Sequence, residues 1–170
     1  MQSLIEGTII LIDKPLHWSS FQAVNKLKWA IMKKYRLKKF KIGHAGTLDP
    51  LATGLLILCT GKHTKQIPQI QDAPKVYTGT IALGASTPSY DLETEVDATF
   101  PTEHITLELI EQVRTQFVGN ITQAPPLFSA IKKDGKRLYE LARKGETTEV
   151  PPREITIYSL ELTLSGEKEL

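Results

Sequence analysis

The sequence predicts an α+β fold: a mixed, largely antiparallel central sheet flanked by helices, in one domain or one domain with a small appendage. Two observations carry that expectation. Short apolar runs of strand composition recur along the chain, and they are intermixed with segments whose apolar residues fall at helical spacing behind Ser or Thr caps. With 170 residues and 41% hydrophobic content, the chain is long enough to bury a proper core.

Gly7 to Ile12 reads as a strand stopped by Asp13-Lys14-Pro15. Ser19 and Ser20 can cap a helix whose inward face carries Phe21, Val24, Leu27 or Lys28, Ile31 and Tyr35, with lysines outward. The apolar run Leu55 to Cys59 reads as a buried strand. Lys75 to Leu83 has strand composition and ends at Gly84. Residues 85 to 101 are polar and acidic, a loop or irregular hairpin. Thr106 can cap a second helix with Leu109, Ile110, Val113 and Phe117 on one face, closed by Gly119. Gly135 to Lys144 reads as a short basic helix with Leu138, Leu141 and Ala142 inside. Glu154 to Leu164 alternates as a strand whose phase slips near Tyr158, which suggests a β-bulge. No repeat, low-complexity tract or linker divides the chain.

The net charge of +2 hides an asymmetry. Lys14 to Leu48 holds nine basic residues (Lys14, Lys26, Lys28, Lys33, Lys34, Arg36, Lys38, Lys39, Lys41) and no acid. Between Ser86 and Arg114 seven acids face one arginine, and Lys132 to Arg153 turns basic again. A charge run is often a solvated helix face, but two basic segments flanking an acid-bearing loop also fit a nucleic-acid partner, bound in a salt-sensitive way. No apolar segment approaches the ~20 residues of a membrane span. The N-terminus lacks the regions of a signal peptide, so a cytoplasmic location is expected. The lone Cys59 reads as a buried small hydrophobe, and no metal-ligand spacing is present.

The loop Gly43-His44-Ala45-Gly46-Thr47-Leu48-Asp49-Pro50-Leu51-Ala52-Thr53-Gly54 concentrates the chemistry. Pro50 restricts Asp49 to extended or turn geometry and brings no N–H to occupy its carboxylate. Gly43 and Gly46 allow positive φ and close approach by an RNA backbone. Taken alone, Asp49-Pro50 could be a turn at a strand entrance, Tyr77 a core residue, and His44 a loop histidine bonded to the backbone.

This loop, with Leu11-Ile12-Asp13-Lys14-Pro15 before it and Lys75-Val76-Tyr77 after it, resembles the bacterial TruB family of tRNA pseudouridine synthases. Gln123-Ala124-Pro125-Pro126-Leu127-Phe128-Ser129-Ala130-Ile131-Lys132, with Gly135, Tyr139, Ala142 and Arg143, is similar to that family's RNA-clamping insertion, placed here at about 124–152. The resemblance spans roughly residues 7 to 160, with its motifs in the family's order, and it looks bacterial rather than RNA-guided. It implies isomerisation of uridine 55 in the tRNA T-loop, with tRNA as partner through its T-arm, no guide RNA, no membrane, and neither metal nor organic cofactor. Asp49 matches the essential aspartate, as nucleophile or electrostatic partner. Tyr77 matches the aromatic that stacks on the extruded uracil, and His44 a residue that fills the vacated place. Gly43, Gly46 and Lys14 would shape the substrate site, Lys14 and Pro15 forming its floor. Lys132, Lys136, Arg137 and Arg143 would meet phosphates, Arg143 being the most readily structural of the four.

Two departures stand out. Phe128 takes the place of a more usual tyrosine. The family's Gly-Thr-Tyr-Ile-Arg-type segment, whose arginine pairs with the aspartate, has no counterpart before Leu170, and neither has its C-terminal RNA-binding domain. The resemblance therefore makes the chain a truncated catalytic domain. It would be weakly active or inactive, marginally stable and prone to self-association, with a partly buried Asp49 whose pKa is raised for want of its cation. The competing reading is a non-catalytic tRNA-binding or tRNA-folding module. A carboxylate glycosidase is disfavoured, because no clear second carboxylate motif stands beside Asp49.

Overall fold

In the computed structural model, which describes residues 2–129, 131–133, 135–146 and 150–165, the chain forms two compact units, Met1–Val76 and Tyr77–Leu170. The α+β class and the antiparallel pairing are as expected. The pairing is divided into one three-stranded and several two-stranded ladders.

The first unit begins with helix α1 (Gln2–Glu6), then strand β1 (Ile9–Lys14), helix α2 (Ser20–Tyr35), strand β2 (Ile42–His44) and strand β3 (Gly54–Thr60). A 3-10 turn (Gly61–Gln66) and helix α3 (Ile67–Asp72) follow. The sheet order is β1-β3-β2, every pair antiparallel. β2 and β3 are thus the arms of a hairpin, and residues 45–53, Asp49 among them, are its tip.

Helix α2 starts where the serines place it. Ser19 is the N-cap, its side chain accepting from the Gln22 N–H at 3.2 Å while the Gln22 side chain accepts from the Ser19 N–H at 2.8 Å. This reciprocal capping box satisfies two amides that the first helical turn leaves over. The helix buries Ala23, Val24 and Ile31. Phe21, expected inside, is 65% exposed. The inward stripe is centred on Ala23 and Val24, small enough to bring the helix close to the sheet.

Ala23, Val24, Leu56 and Leu58 form the core, with Ile10, Ile12, Leu27, Ile42 and Leu48 packed against it. The register pairs Ile10 with Leu58 and Ile12 with Leu56, so these four share the face that α2 covers. Full burial of such side chains contributes about 1.5–3 kcal/mol each. Cys59 is fully buried, and burial pushes its thiol pKa up.

In the second unit, strands β4 (Ala85–Ser86) and β5 (Ala98–Thr99) pair as a small hairpin across the acidic loop. Helix α4 (Leu107–Phe117) is capped by Thr106, whose hydroxyl accepts from the Leu109 N–H at 3.2 Å, and it buries Ile110. Strand β6 (Gly119–Gln123) pairs with the last strand; β7 (Lys132–Lys133) pairs with β8 (Lys136–Arg137); helix α5 (Leu138–Ala142) buries Leu138. The last strand, β9 (Arg153–Ile157), completes the unit.

Three expectations change here. Lys75 to Ile81 forms no strand: no described residue pairs with it, and Val76 is 94% exposed. Strand composition supplies side chains for a sheet but not the partner that must take its backbone hydrogen bonds. The basic helix is shorter than 135–144, because Lys136 and Arg137 pair with β7 instead. The phase slip near Tyr158 is no bulge, because β9 ends at Ile157 and Tyr158 is 74% exposed. Among the described residues, no helix is long and apolar enough to cross a membrane.

The Asp49 loop as candidate functional site

Asp49 is held from both sides while its own side chain is exposed. On one side, Leu48 packs against the core. The buried Ser20 hydroxyl clasps its backbone twice, accepting from the Leu48 N–H at 2.9 Å and donating to its carbonyl at 3.0 Å. On the other side, the Ala52 N–H donates to the Asp49 carbonyl at 3.0 Å. This closes a four-residue turn with Pro50 at its second position, where a fixed φ suits it. The His17 N–H then donates to the Pro50 carbonyl at 2.8 Å. His17 sits at φ 64, a left-handed conformation that costs a non-glycine residue about 1–2 kcal/mol.

Lys14 lies beneath this arrangement. It continues the inward parity of Ile10 and Ile12 on β1, and its side chain is 0% exposed. The Nζ donates to the Pro15 carbonyl at 3.0 Å and to the Trp18 carbonyl at 2.6 Å, tying the 15–18 loop into place. Burial pushes the Lys14 pKa below its ordinary 10.5, while the negative charge of Asp49 acts in the opposite direction. A buried cation therefore faces the Asp49 carboxylate from within the same unit. The expectation of a partly buried aspartate is corrected, because Asp49 is exposed.

His44 closes β2 with its Nδ1 at 2.5 Å from the Gly46 carbonyl. A carbonyl only accepts, so Nδ1 is the donor here. Gly46 has φ +129, a conformation that L side chains rarely adopt. Gly43 differs from expectation: it is a strand residue without positive φ, and an added Cβ would lie 2.9 Å from Ile67 Cδ1. It serves packing rather than a turn.

The remaining candidates lie in the second unit. Tyr77 is 75% exposed at its start. The backbones of Lys132, Lys136 and Arg137 are fixed by the β7–β8 ladder; their side chains, like all of Ala130, lie outside the described residues. Arg143 follows α5, its guanidinium paired with the Glu93 carboxylate, Nε at 3.1 Å, and lying 5.2 Å from the Tyr139 ring centroid. The Glu93 hydrogen bond raises the Arg143 pKa still further.

The sequence reading missed Ser20 and His17 as loop-holding residues. Neither has a local signature, since Ser20 and Leu48 are 28 residues apart. The burial of Lys14 did have one: it lies two residues after Ile12, in phase with the inward face.

Residues 33–170 match the model of the TruB family pseudouridylate synthase N-terminal domain. The tRNA pseudouridine synthase B of Flavobacterium johnsoniae is 63% identical over 163 residues, covering 95% of this chain and 71% of that protein. The protein of the same name from Phocaeicola vulgatus is 56% identical over 157 residues, covering 92% of this chain and 67% of that one. The one from Chlorobium luteolum is 49% identical over 159 residues, and the match covers 54% of its length. Among solved structures, a chain of a Cbf5-Nop10-Gar1 complex matches with a TM-score of 0.55 at 24% identity, over 99% of this chain and 39% of that one. This last likeness concerns the fold.

Proposed function

This chain belongs to the TruB family of pseudouridylate synthases, and on that premise we propose that it isomerises uridine 55 in the T-loop of cytoplasmic tRNA to pseudouridine, with Asp49 as the essential carboxylate. The observation that carries this reading is the presentation of Asp49. Its backbone is fixed through Leu48 and Pro50, its side chain is exposed, and a buried ammonium stands behind it. Fixing a reacting group before the substrate arrives removes entropy from the barrier, and effective molarities from such positioning are large.

In the reaction, the bond between ribose C1′ and uracil N1 breaks, the uracil turns, and C1′ bonds to C5. The C5 proton is lost to solvent and N1 gains one, so the product is an isomer. Asp49 acts at the sugar or the base as the glycosidic bond opens, as nucleophile or as electrostatic partner. Lys14 places a positive charge behind the carboxylate for either role. Tyr77, with most of its ring exposed, offers the stacking face that offsets the few kcal/mol of unstacking the uridine. His44 fills the space the base leaves. The basic residues between 26 and 41, with Lys132, Lys136 and Arg137 of the 124–152 insertion, hold the T-arm phosphates. Arg143, engaged by Glu93, plays a structural part there.

The test is tritium release from C5-labelled uridine in an unmodified tRNA transcript, with Asp49→Asn beside the parent. Release by the parent and none by the variant, at equal tRNA affinity, is the expected result. Salt-sensitive binding without release from either protein would replace this reading with a tRNA-binding or tRNA-folding module.

A further inference from the structure

A cleft of about 550 Å³ in the first unit is lined by Ile5, Lys28, Lys39, Phe40, Lys41 and Ile42. It opens by the Ile42 end of β2, whereas the Asp49 loop follows the His44 end. The chain path explains why three lysines meet there. Helix α2 ends with Arg36 at φ 52; the Arg36 N–H donates to the Lys33 carbonyl at 3.4 Å, and the Leu37 N–H to the Met32 carbonyl at 2.9 Å. This is a Schellman ending, and it turns the chain back. Lys39 and Lys41 are thereby brought to Lys28, which lies two helical turns upstream on α2. The Gly61 N–H fixes the Lys41 carbonyl at 3.0 Å.

The lining has two characters. Phe40 is 8% exposed and Ile42 half-buried, forming an apolar floor, and Ile5 is an exposed apolar rim. The three ammonium groups have no hydrogen bond or ion pair among the described residues, and no carboxylate lines the cleft. Three like charges around one cleft repel, and an anion between them relieves that repulsion. An apolar floor favours an anion that carries a ring or sugar over a fully hydrated one, and the volume lies within the usual range for small-ligand sites.

We propose that this cleft binds a nucleoside phosphate, the phosphate between Lys28, Lys39 and Lys41 and the nucleoside against Phe40 and Ile42. The ligand is either one nucleotide of an RNA strand or a free mononucleotide; the recognition chemistry is the same.

Calorimetric titration of the whole chain with uridine monophosphate, a short oligouridylate and inorganic phosphate tests this. The expected result is binding of one of the first two, about tenfold or more weaker in Lys28→Gln/Lys39→Gln/Lys41→Gln and retained in the matching triple Arg variant. Binding of the monophosphate identifies a free nucleotide as sufficient; binding of the oligonucleotide alone identifies an RNA unit. No binding by either, equal affinity in the Gln variant, or inorganic phosphate binding as tightly as the nucleotide would overturn the proposal. Asp49→Asn should bind as the parent does. Failure of the cleft is therefore read separately from failure of the isomerase.

Discussion

Ser20 gives one hydroxyl to both backbone groups of Leu48, and Asp49 inherits its position from that clasp. Ser20→Ala would leave a part-buried N–H and C=O unpaired, which costs about 1–3 kcal/mol. The turn bearing Asp49 would loosen at the same time. Urea unfolding should register the lost stability, and turnover on tRNA should fall about tenfold or more with KM little changed, because binding rests on other residues. A parallel rise in KM would mean that Ser20 serves binding rather than positioning. Lys14 makes a prediction about pH. Its folded pKa lies below the ordinary 10.5, chiefly through burial, so just below 10.5 the unfolded chain binds more protons than the folded one. Stability contributed by this group is therefore present above 10.5 and lost as pH falls through the folded pKa. Urea midpoints of the parent should carry a rising component as pH approaches 10.5, and Lys14→Met should lack it. An identical pH profile for the two proteins would show that Lys14 does not titrate as its burial requires.

The end of α2 shows how a single residue can oppose its element. Arg36 occupies the left-handed position of the Schellman ending, where glycine pays no steric penalty. Arg36→Gly should stabilise the first unit by about 0.5–1 kcal/mol, read as a higher urea midpoint with an unchanged slope. A lower midpoint would mean that the guanidinium contributes more than its backbone strain costs. Elements whose signals are local were legible in the sequence. The start of α2 was readable from Ser19, β3 from five consecutive apolar residues, and α4 from Thr106 and the Leu109–Phe117 stripe. Signals that need a distant partner were not. Lys75 to Ile81 carries strand residues but forms no ladder, and Ser20 reads as a helix cap until Leu48 is brought beside it. Phe21 lies at helical spacing with Val24, but the close approach of helix to sheet selects Ala23. The loop around Asp49 was legible as a site because its glycines, proline and acid are contiguous. The cation behind Asp49 lies 35 residues earlier in the chain, and only strand parity points to it.

At the scale of the whole molecule, the boundary between the two units falls inside the segment that carries Tyr77. Residues 73–81 are exposed throughout and form no ladder, and Lys75 lies among them. Its ammonium donates to nearby carbonyls, those of Gln71 and Ala73. Exposed backbone without ladder hydrogen bonds is where proteases cut first, since an extended strand must enter the protease cleft. Dilute trypsin should therefore cleave the chain after Lys75 before it cleaves within α2, where lysines are as numerous but the backbone is helical. Mass spectrometry of the early products should find fragments ending at Lys75 and beginning at Val76. Early cuts within α2 instead would mean that 73–81 is covered in solution. The same digestion also tests the proposed role of Tyr77. If its ring stacks on the extruded uridine, tRNA bound to Asp49→Asn, where turnover is blocked, will slow the cut at Lys75. Cuts at lysines remote from the RNA will keep their rate. A tRNA that protects α2 but leaves Lys75 as exposed as before would keep RNA binding in the first unit and remove Tyr77 from the site.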